Sequence, residues 1–533
     1  MIKKLILAAS VGTALFALPV SAAQLVLFNV DDPGVGFNDP TPAEPVGGNA
    51  GTTLGEQRLI AYQRALTLWG SVLKSAVPVV VQGSFARLSC TAQGGTLAQA
   101  GAVSVFSDFP NAPLAGHWYG GAIADALAGE ELDPGFADII ANFNGAVGQA
   151  DCIPGPGFYY GLDNTPPPGA IDFLNTFMHE VAHGLGFQNF VNETDGTFLI
   201  GIPDVYTANT LDLDLGKKWN LMTSDELLFS GVNTGRVVWD GPKVTAGSLG
   251  VLGPFEGLRV SGKLVRELDF GTASFGAAPS PSMRVGSIVA AIDNDGTLNP
   301  SDACGPLINN VRGKVVLADR GSCGFVVKAA NAQAAGAVAL LIANNAPGAG
   351  AIGLGGADPA VTIPTLGISF EDGADIRAAL PGVGAQYFSD ATRRAGTAEG
   401  YVRLFAPGVV QPGSSISHFD TAAAPNLLME PAITPTLRAS RNLDLTPALM
   451  LDIGWKAEPV ALGTCVTTVP GSLANGDLVL PAVEGCLAAG SPSRYGLCVA
   501  RLARDYETAG LIDRAQRVSL TACGVADANS RAK

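Results

Sequence analysis

Only four histidines occur in the 533 residues, and charge is sparse, with Asp, Glu, Lys and Arg together making 15%. Lys and Arg number 32 against 47 Asp and Glu, a net charge of −15 that argues against nucleic acid or an anionic membrane as a partner. None of the eight cysteines forms a Cys-x-x-Cys pair, which argues against a thioredoxin-like redox site or a cysteine zinc cage. After the N-terminus no run approaches the roughly 20 apolar residues that span a bilayer. The longest, 334–343, is bounded by Gln333 and Asn344. No long-period repeat or low-complexity tract is found. What is plentiful is Gly (67), Pro (35) and apolar side chains (47%), the composition of a folded, loop-rich chain. At about 150 residues per domain the length corresponds to three or four domains.

The first 23 residues, MIKKLILAASVGTALFALPVSAA, place Lys3 and Lys4 before an apolar run that ends in small residues. This is the layout of a signal peptide cleaved near Ala23, and it predicts a secreted or periplasmic protein with no transmembrane segment in its mature form. The even cysteine count suits an oxidising compartment. The cysteines fall in three groups: Cys90 with Cys152, Cys304 with Cys323, and Cys465, Cys486, Cys498 and Cys523. Pairing within groups is the simplest expectation.

Periodicity predicts a strand from residue 25, an amphipathic helix over 58–74 and a strand over 77–85. Weaker signals mark a helix at 122–128 and a strand at 136–143. After the breaker DNTPPPG (163–169), Ile171, Leu174, Met178, Val181 and Leu185 recur at steps of three and four, predicting a helix over 170–187. Residues 313–321, 323–337 and 338–345 read as a βαβ unit. A helical stretch is predicted over 501–517.

The chemistry is concentrated in HEVAHGLGF, 179–187. His179 and His183 are four apart, so a helix projects both from one face, where their imidazole nitrogens can hold one Zn²⁺. Glu180 lies about 100° round the wheel from His179, placed to take a proton from an attacking water. These parts suffice for hydrolysis of a peptide bond without a covalent intermediate. A catalytic zinc usually has three protein ligands. The compact pattern HExxHxxGxxH matches at Gly186 but has Asn at 189, and an amide oxygen is a poor zinc ligand. The candidates elsewhere are His418, His117 and the carboxylates Asp212, Asp214 and Glu226.

His418 stands in SISHFDTAAAPNLLMEP, with Met429 eleven residues later. With HEVAHGLGF this resembles the leishmanolysin-like branch of the metzincins, in which an insertion separates the third His from HExxHxxGF and a Met in an LM-x-P context forms a turn beneath the zinc. The resemblance implies His418 as third ligand and Met429 as the Met-turn residue. His183 and His418 are 235 positions apart, and if the gap is a self-contained domain its ends can lie close together and the site still closes.

Within that gap, DRGSCGFVVKAANAQAAGAVA (319–339) and IPTLGIS (363–369) resemble a protease-associated domain. The resemblance implies a Cys304–Cys323 disulfide and an influence on substrate access. DNDG (293–296) lacks the residues of a calcium loop and reads as a turn, and LDLDLG (211–216) reads as turn and strand. Trp455 reads as a packed aromatic closing the catalytic core.

The resulting expectation is an α+β chain. A signal peptide (1–23) precedes a zincin-like catalytic domain in two parts (24–240 and 401–456). Between them lies a β-rich α/β protease-associated region (241–400), and a Cys-rich module (457–533) follows. The expected activity is a one-zinc metalloendopeptidase acting on proteins or peptides, with Glu180 as general base. Two rivals remain: a catalytically silent binding protein on the same scaffold, against which the intact Glu180 counts, and a zinc aminopeptidase, which typically needs a paired-metal site.

Overall fold

The computed structural model describes residues 23–91, 94–273, 275–279, 286–296, 298–347, 350–355, 358–394, 397 and 400–532. The expected signal peptide lies almost wholly outside them. The chain is mixed α/β. Strand β1 (Leu25–Asn29) leads to helix α1 (Leu54–Gly70), β2 (Val79–Ala86) and β3 (Ala98–Ala102), then α2 (Gly121–Ala128) and β4 (Ile139–Asn144). The sheet order is β1–β2–β4–β3, parallel except for the antiparallel edge strand β3.

Helix α1 begins four residues earlier than apolar spacing predicts. Thr53 and Glu56 form a reciprocal capping box that fixes its start. Against this sheet packs α3 (Phe173–Gly184), every residue of which is buried. Phe173 and Phe177 stand 5.1 and 5.3 Å from Phe143 on β4, in a cluster completed by Phe37, Tyr62 and Phe85. Helix α3 is shorter than the predicted 170–187. Ile171 and Asp172 pair as strand with Phe158 and Tyr159, and Gly186 turns the chain at φ +122°. At the other end of α3, Asp172 caps the helix by accepting the Asn175 N–H at 2.8 Å. Asn164 and Asn175 extend this buried network to the backbone of Leu437, Ala439 and Ser440, tying α3 to a segment 262 or more residues away.

Strands β5 (Thr210–Asp212) and β6 (Val237–Trp239) pair, and α4 (Pro242–Val251) follows. The next strand, β7 (Phe255–Gly262), opens a separate body with β8 (Ile288–Ala290), β9 (Val315–Asp319), α5 (Phe325–Ala334), β10 (Ala339–Ala343), β11 (Thr365–Ile368), α6 (Phe370–Ala379) and β12 (Val383–Asp390). β8 to β11 run parallel, with apolar clusters on both sheet faces. β12 pairs with β7 along its length, Phe255 opposite Asp390, so this body enters and leaves at one point. β13 (Val402–Arg403) then returns to Val238 and Trp239 on β6. Helix α7 (Thr446–Ile453) ends at Gly454, and Trp455 is buried with its indole N–H on the Leu185 carbonyl at 2.8 Å.

After residue 456, a two-stranded ribbon and helices α8 (Pro492–Thr508) and α9 (Arg514–Arg531) form a satellite core. The single helix predicted over 501–517 is two helices. Gly510 adopts φ +72° and Asp513 caps a new start with Gln516. The disulfides are Cys90–Cys152, Cys304–Cys323, Cys465–Cys523 and Cys486–Cys498.

Asp125 on α2 and Asp138 before β4 are buried and share a hydrogen bond, and burial pushes the Asp125 carboxyl from 3.8 up to about 8. Asp138 is also raised by burial. The pair thus holds a proton that the unfolded chain releases near pH ~4. Stability from that proton is complete below this value and is lost as pH rises to about 8. Asp125→Asn is expected to flatten the fall in Tm between pH 5 and pH 8 and to unfold at a higher temperature than wild type at pH 8. Equal pH slopes in thermal melts of the two proteins would contradict this.

Candidate metal centre

His179 and His183 lie on adjacent turns of α3, and their Nε2 atoms are 3.1 Å apart. His418 comes from the segment following the inserted body, and its Nε2 lies 3.2 Å from that of His179. All three side chains are buried. The structure thus brings together the two helical histidines and the distant one.

Backbone hydrogen bonds build this convergence. The segment around His418 runs between two neighbours: Phe405 N–H donates to the His418 carbonyl at 2.9 Å, and Phe419 N–H donates to the Met429 carbonyl at 2.8 Å. Met429 is completely buried. Its predecessor Leu428 offers a carbonyl to His179 Nδ1 at 2.7 Å, while Leu428 N–H donates to Asp444 Oδ2 at 2.6 Å. Glu430 accepts from Leu427 N–H and Asn426, holding the same turn from inside. Gly184 and Gly186 permit the close packing. A Cβ at Gly184 would fall 2.3 Å from the Ile139 side chain, and one at Gly186 2.6 Å from Ile453.

Each ring has its other nitrogen engaged. Nδ1 of His179, His183 and His418 faces the carbonyl of Leu428, Phe187 and Ser414 at 2.7, 2.7 and 2.8 Å. A carbonyl only accepts, so each Nδ1 carries the proton and each Nε2 is a bare lone pair. No Nε2 can donate to another. Burial, and for His179 the neighbouring His183, holds His179 down at about 3, and burial holds His183 at about 4. His418 is held well below its ordinary value by burial and by the other two imidazoles. Protons therefore do not relieve the crowding at neutral pH. Three converging neutral imidazole lone pairs, each oriented from behind by a carbonyl, are the donor set that suits Zn²⁺. Glu180, next to His179 in the chain, is buried, and desolvation pushes its carboxyl up to about 8.

The remaining candidates are engaged elsewhere. His117 contacts the Ala115 carbonyl and the Asn220 amide. Asp212 accepts from Ser230 and Asn233, Asp214 pairs with Arg236, and Glu226 pairs with Lys217 while capping its helix. None joins the histidine cluster, and among the described residues no carboxylate joins it either. Sequence reasoning did not reach Asp444, Glu430 or Ser417, whose contacts are set by tertiary pairing. The signal for Asp444 was its place just before the Thr-Pro that opens α7.

Residues 281–376 match the family model of the PA domain. Signal peptide peptidase-like 2 of Arabidopsis thaliana is 60% identical over 47 residues, 9% of each chain. Leucine aminopeptidase 2 of Trichophyton rubrum is 45% identical over 67 residues, 13% of each. The chain therefore spans about a tenth of the length of these curated relatives. Among solved structures, BSAP, a zinc aminopeptidase from Bacillus subtilis, has 24% identity and a TM-score of 0.19, covering 28% of this chain and 36% of that one. A peptidase M28 precursor from Shewanella amazonensis has 16% identity and a TM-score of 0.18, covering 40% and 51%. TM-scores this low do not describe a shared fold for the whole chain.

A cation held by the three imidazoles stabilises the folded chain by mass action, by about 2.7 kcal/mol when free zinc is 100 times its Kd. Zinc is accordingly expected to raise the Tm of chelator-treated wild type and to leave that of His418→Ala unmoved. Equal shifts in differential scanning calorimetry would remove His418 from the site.

Proposed function

We propose that the chain is an extracytoplasmic zinc metalloendopeptidase that binds one zinc through His179, His183 and His418 and hydrolyses peptide bonds in proteins. The observation that carries this reading is the meeting of three lone-pair Nε2 atoms, 3.1 and 3.2 Å apart, on and against the helix that also carries the buried Glu180. A zinc ion bound there supplies Lewis acidity, polarising a substrate carbonyl and bringing the pKa of a water towards ~7.

In this reading the chain's own groups do the remaining work. The Glu180 carboxylate accepts the proton of the attacking water and delivers it to the nitrogen of the departing amine. The carbonyls of Leu428, Phe187 and Ser414 hold the three rings in the tautomer that presents Nε2. The buried Met429, which follows the Leu428 carbonyl that holds His179, is assigned in this reading as the floor of the site. The absence of a carboxylate from the histidine cluster, among the described residues, favours one metal over a carboxylate-bridged pair. The four disulfides support an oxidising compartment, and no helix of the described residues is long and apolar enough to cross a membrane.

The test is zinc content and casein cleavage of the mature protein beside Glu180→Ala. The variant is expected to keep its zinc and lose about 10²- to 10⁴-fold in rate. Internal cuts in a peptide ladder support the endopeptidase, whereas release of single N-terminal residues would indicate an aminopeptidase. Wild type that holds zinc and cleaves nothing would leave a silent binding scaffold.

A further inference from the structure

Position 189, where a compact HExxHxxGxxH motif would present its third imidazole, carries Asn, and the structure gives that asparagine another task. Its side-chain Nδ2 donates to Ser417 Oγ at 2.9 Å, and its backbone N–H donates to the same oxygen at 3.1 Å. Its Oδ1 accepts Val191 N–H at 2.9 Å, and Nδ2 also reaches Glu193 at 3.3 Å, so the amide orientation is fixed by partners on both sides. Ser417 immediately precedes His418 and is buried.

The segment that Asn189 grips is strained. Ile416 adopts φ +63°, a left-handed conformation that a β-branched residue resists, and it is completely buried. Such a conformation persists only where the surroundings over-determine it. Ile416 N–H donates to the Phe405 carbonyl at 2.7 Å, its carbonyl accepts Tyr206 Oη at 2.8 Å, and Ser417 Oγ is held twice by Asn189. Asn189 and Tyr206 both come from the chain shortly after α3, the helix that carries His179 and His183. Among these contacts, that of Asn189 lies next to the distant histidine.

We infer that Asn189 is a positioning residue that locks the His418 segment onto the end of α3, so that the ligand arriving after the inserted body meets the two helical ligands in one fixed geometry. This rests on the proposed three-histidine zinc site. Through Ser417, the amide does what an imidazole at 189 would do directly: it makes the residues following HExxH part of the metal site. Ser417 is the matching half of the clamp.

The experiment measures zinc affinity by chelator competition, together with the visible spectrum of the Co²⁺-substituted protein, for wild type, Asn189→Ala, Ser417→Ala, the double variant and Ser417→Thr. Asn189→Ala and Ser417→Ala are each expected to weaken zinc binding by about tenfold. The double variant is expected to match Ser417→Ala, because loss of Oγ already removes both hydrogen bonds from Asn189. Ser417→Thr, which keeps Oγ, is expected to retain affinity, and the cobalt band is expected to shift in the Ala variants alone. Additive losses, or losses in melting temperature with zinc affinity and cobalt spectrum unchanged, would reduce Asn189 to an ordinary structural contact. If His418→Ala weakens zinc and Asn189→Ala does not, the clamp is wrong and the zinc site stands. If wild type binds no zinc, both are overturned.

Discussion

Three imidazole lone pairs crowded into a buried space, none able to donate to the others, form the constraint on which the rest of the arrangement depends. Such a cluster is unfavourable unless a cation enters it, and a fold holds it together only by fixing each ring from behind. The chain does so with backbone carbonyls, which orient the rings without adding charge. Leu428 shows how the fixing is relayed: its carbonyl holds His179 while its N–H is held by Asp444. The geometry of the proposed site is thus written into the turn around Met429 and the start of α7.

The second constraint is topological. Two of the clustered histidines stand on α3 and the third lies 235 positions on, beyond a separate body. The body is accommodated because it starts and finishes beside itself, β7 against β12, and because β6 and β13 close the cut with Val238 opposite Arg403. Side chains join the two parts as well. Arg403 pairs with Asp269, and its backbone carbonyl accepts the Asp420 N–H two residues beyond His418. The match of residues 281–376 to the PA domain falls inside this body.

Part of this was legible in the sequence because it depends on local spacing. The four-residue step from His179 to His183 places both on one helix face whatever surrounds it. The within-group cysteine pairs follow from separations short enough to be bridged inside one body. Helix ends were less legible where apolar period and capping disagree. The capping box of Thr53 and Glu56 fixes the start of α1, whereas the apolar pattern put it at residue 58. Gly510 split a stretch that periodicity read as one helix, because a single left-handed residue overrides a favourable amphipathic pattern. His418 was reached through the order of motifs in a resembling family, not through spacing, since its position depends on backbone pairing with Phe405 and Met429. Asn189 was read only as a residue that is not a ligand. Its grip on Ser417 exists only once chain segments 228 residues apart are side by side.

The most direct test of the central claim is X-ray absorption spectroscopy of the zinc-loaded protein. The expected result is a single zinc bound by three imidazoles at about 2.0–2.1 Å and one further light ligand. A shell with two imidazoles, or a zinc–zinc vector near ~3.5 Å, would contradict it.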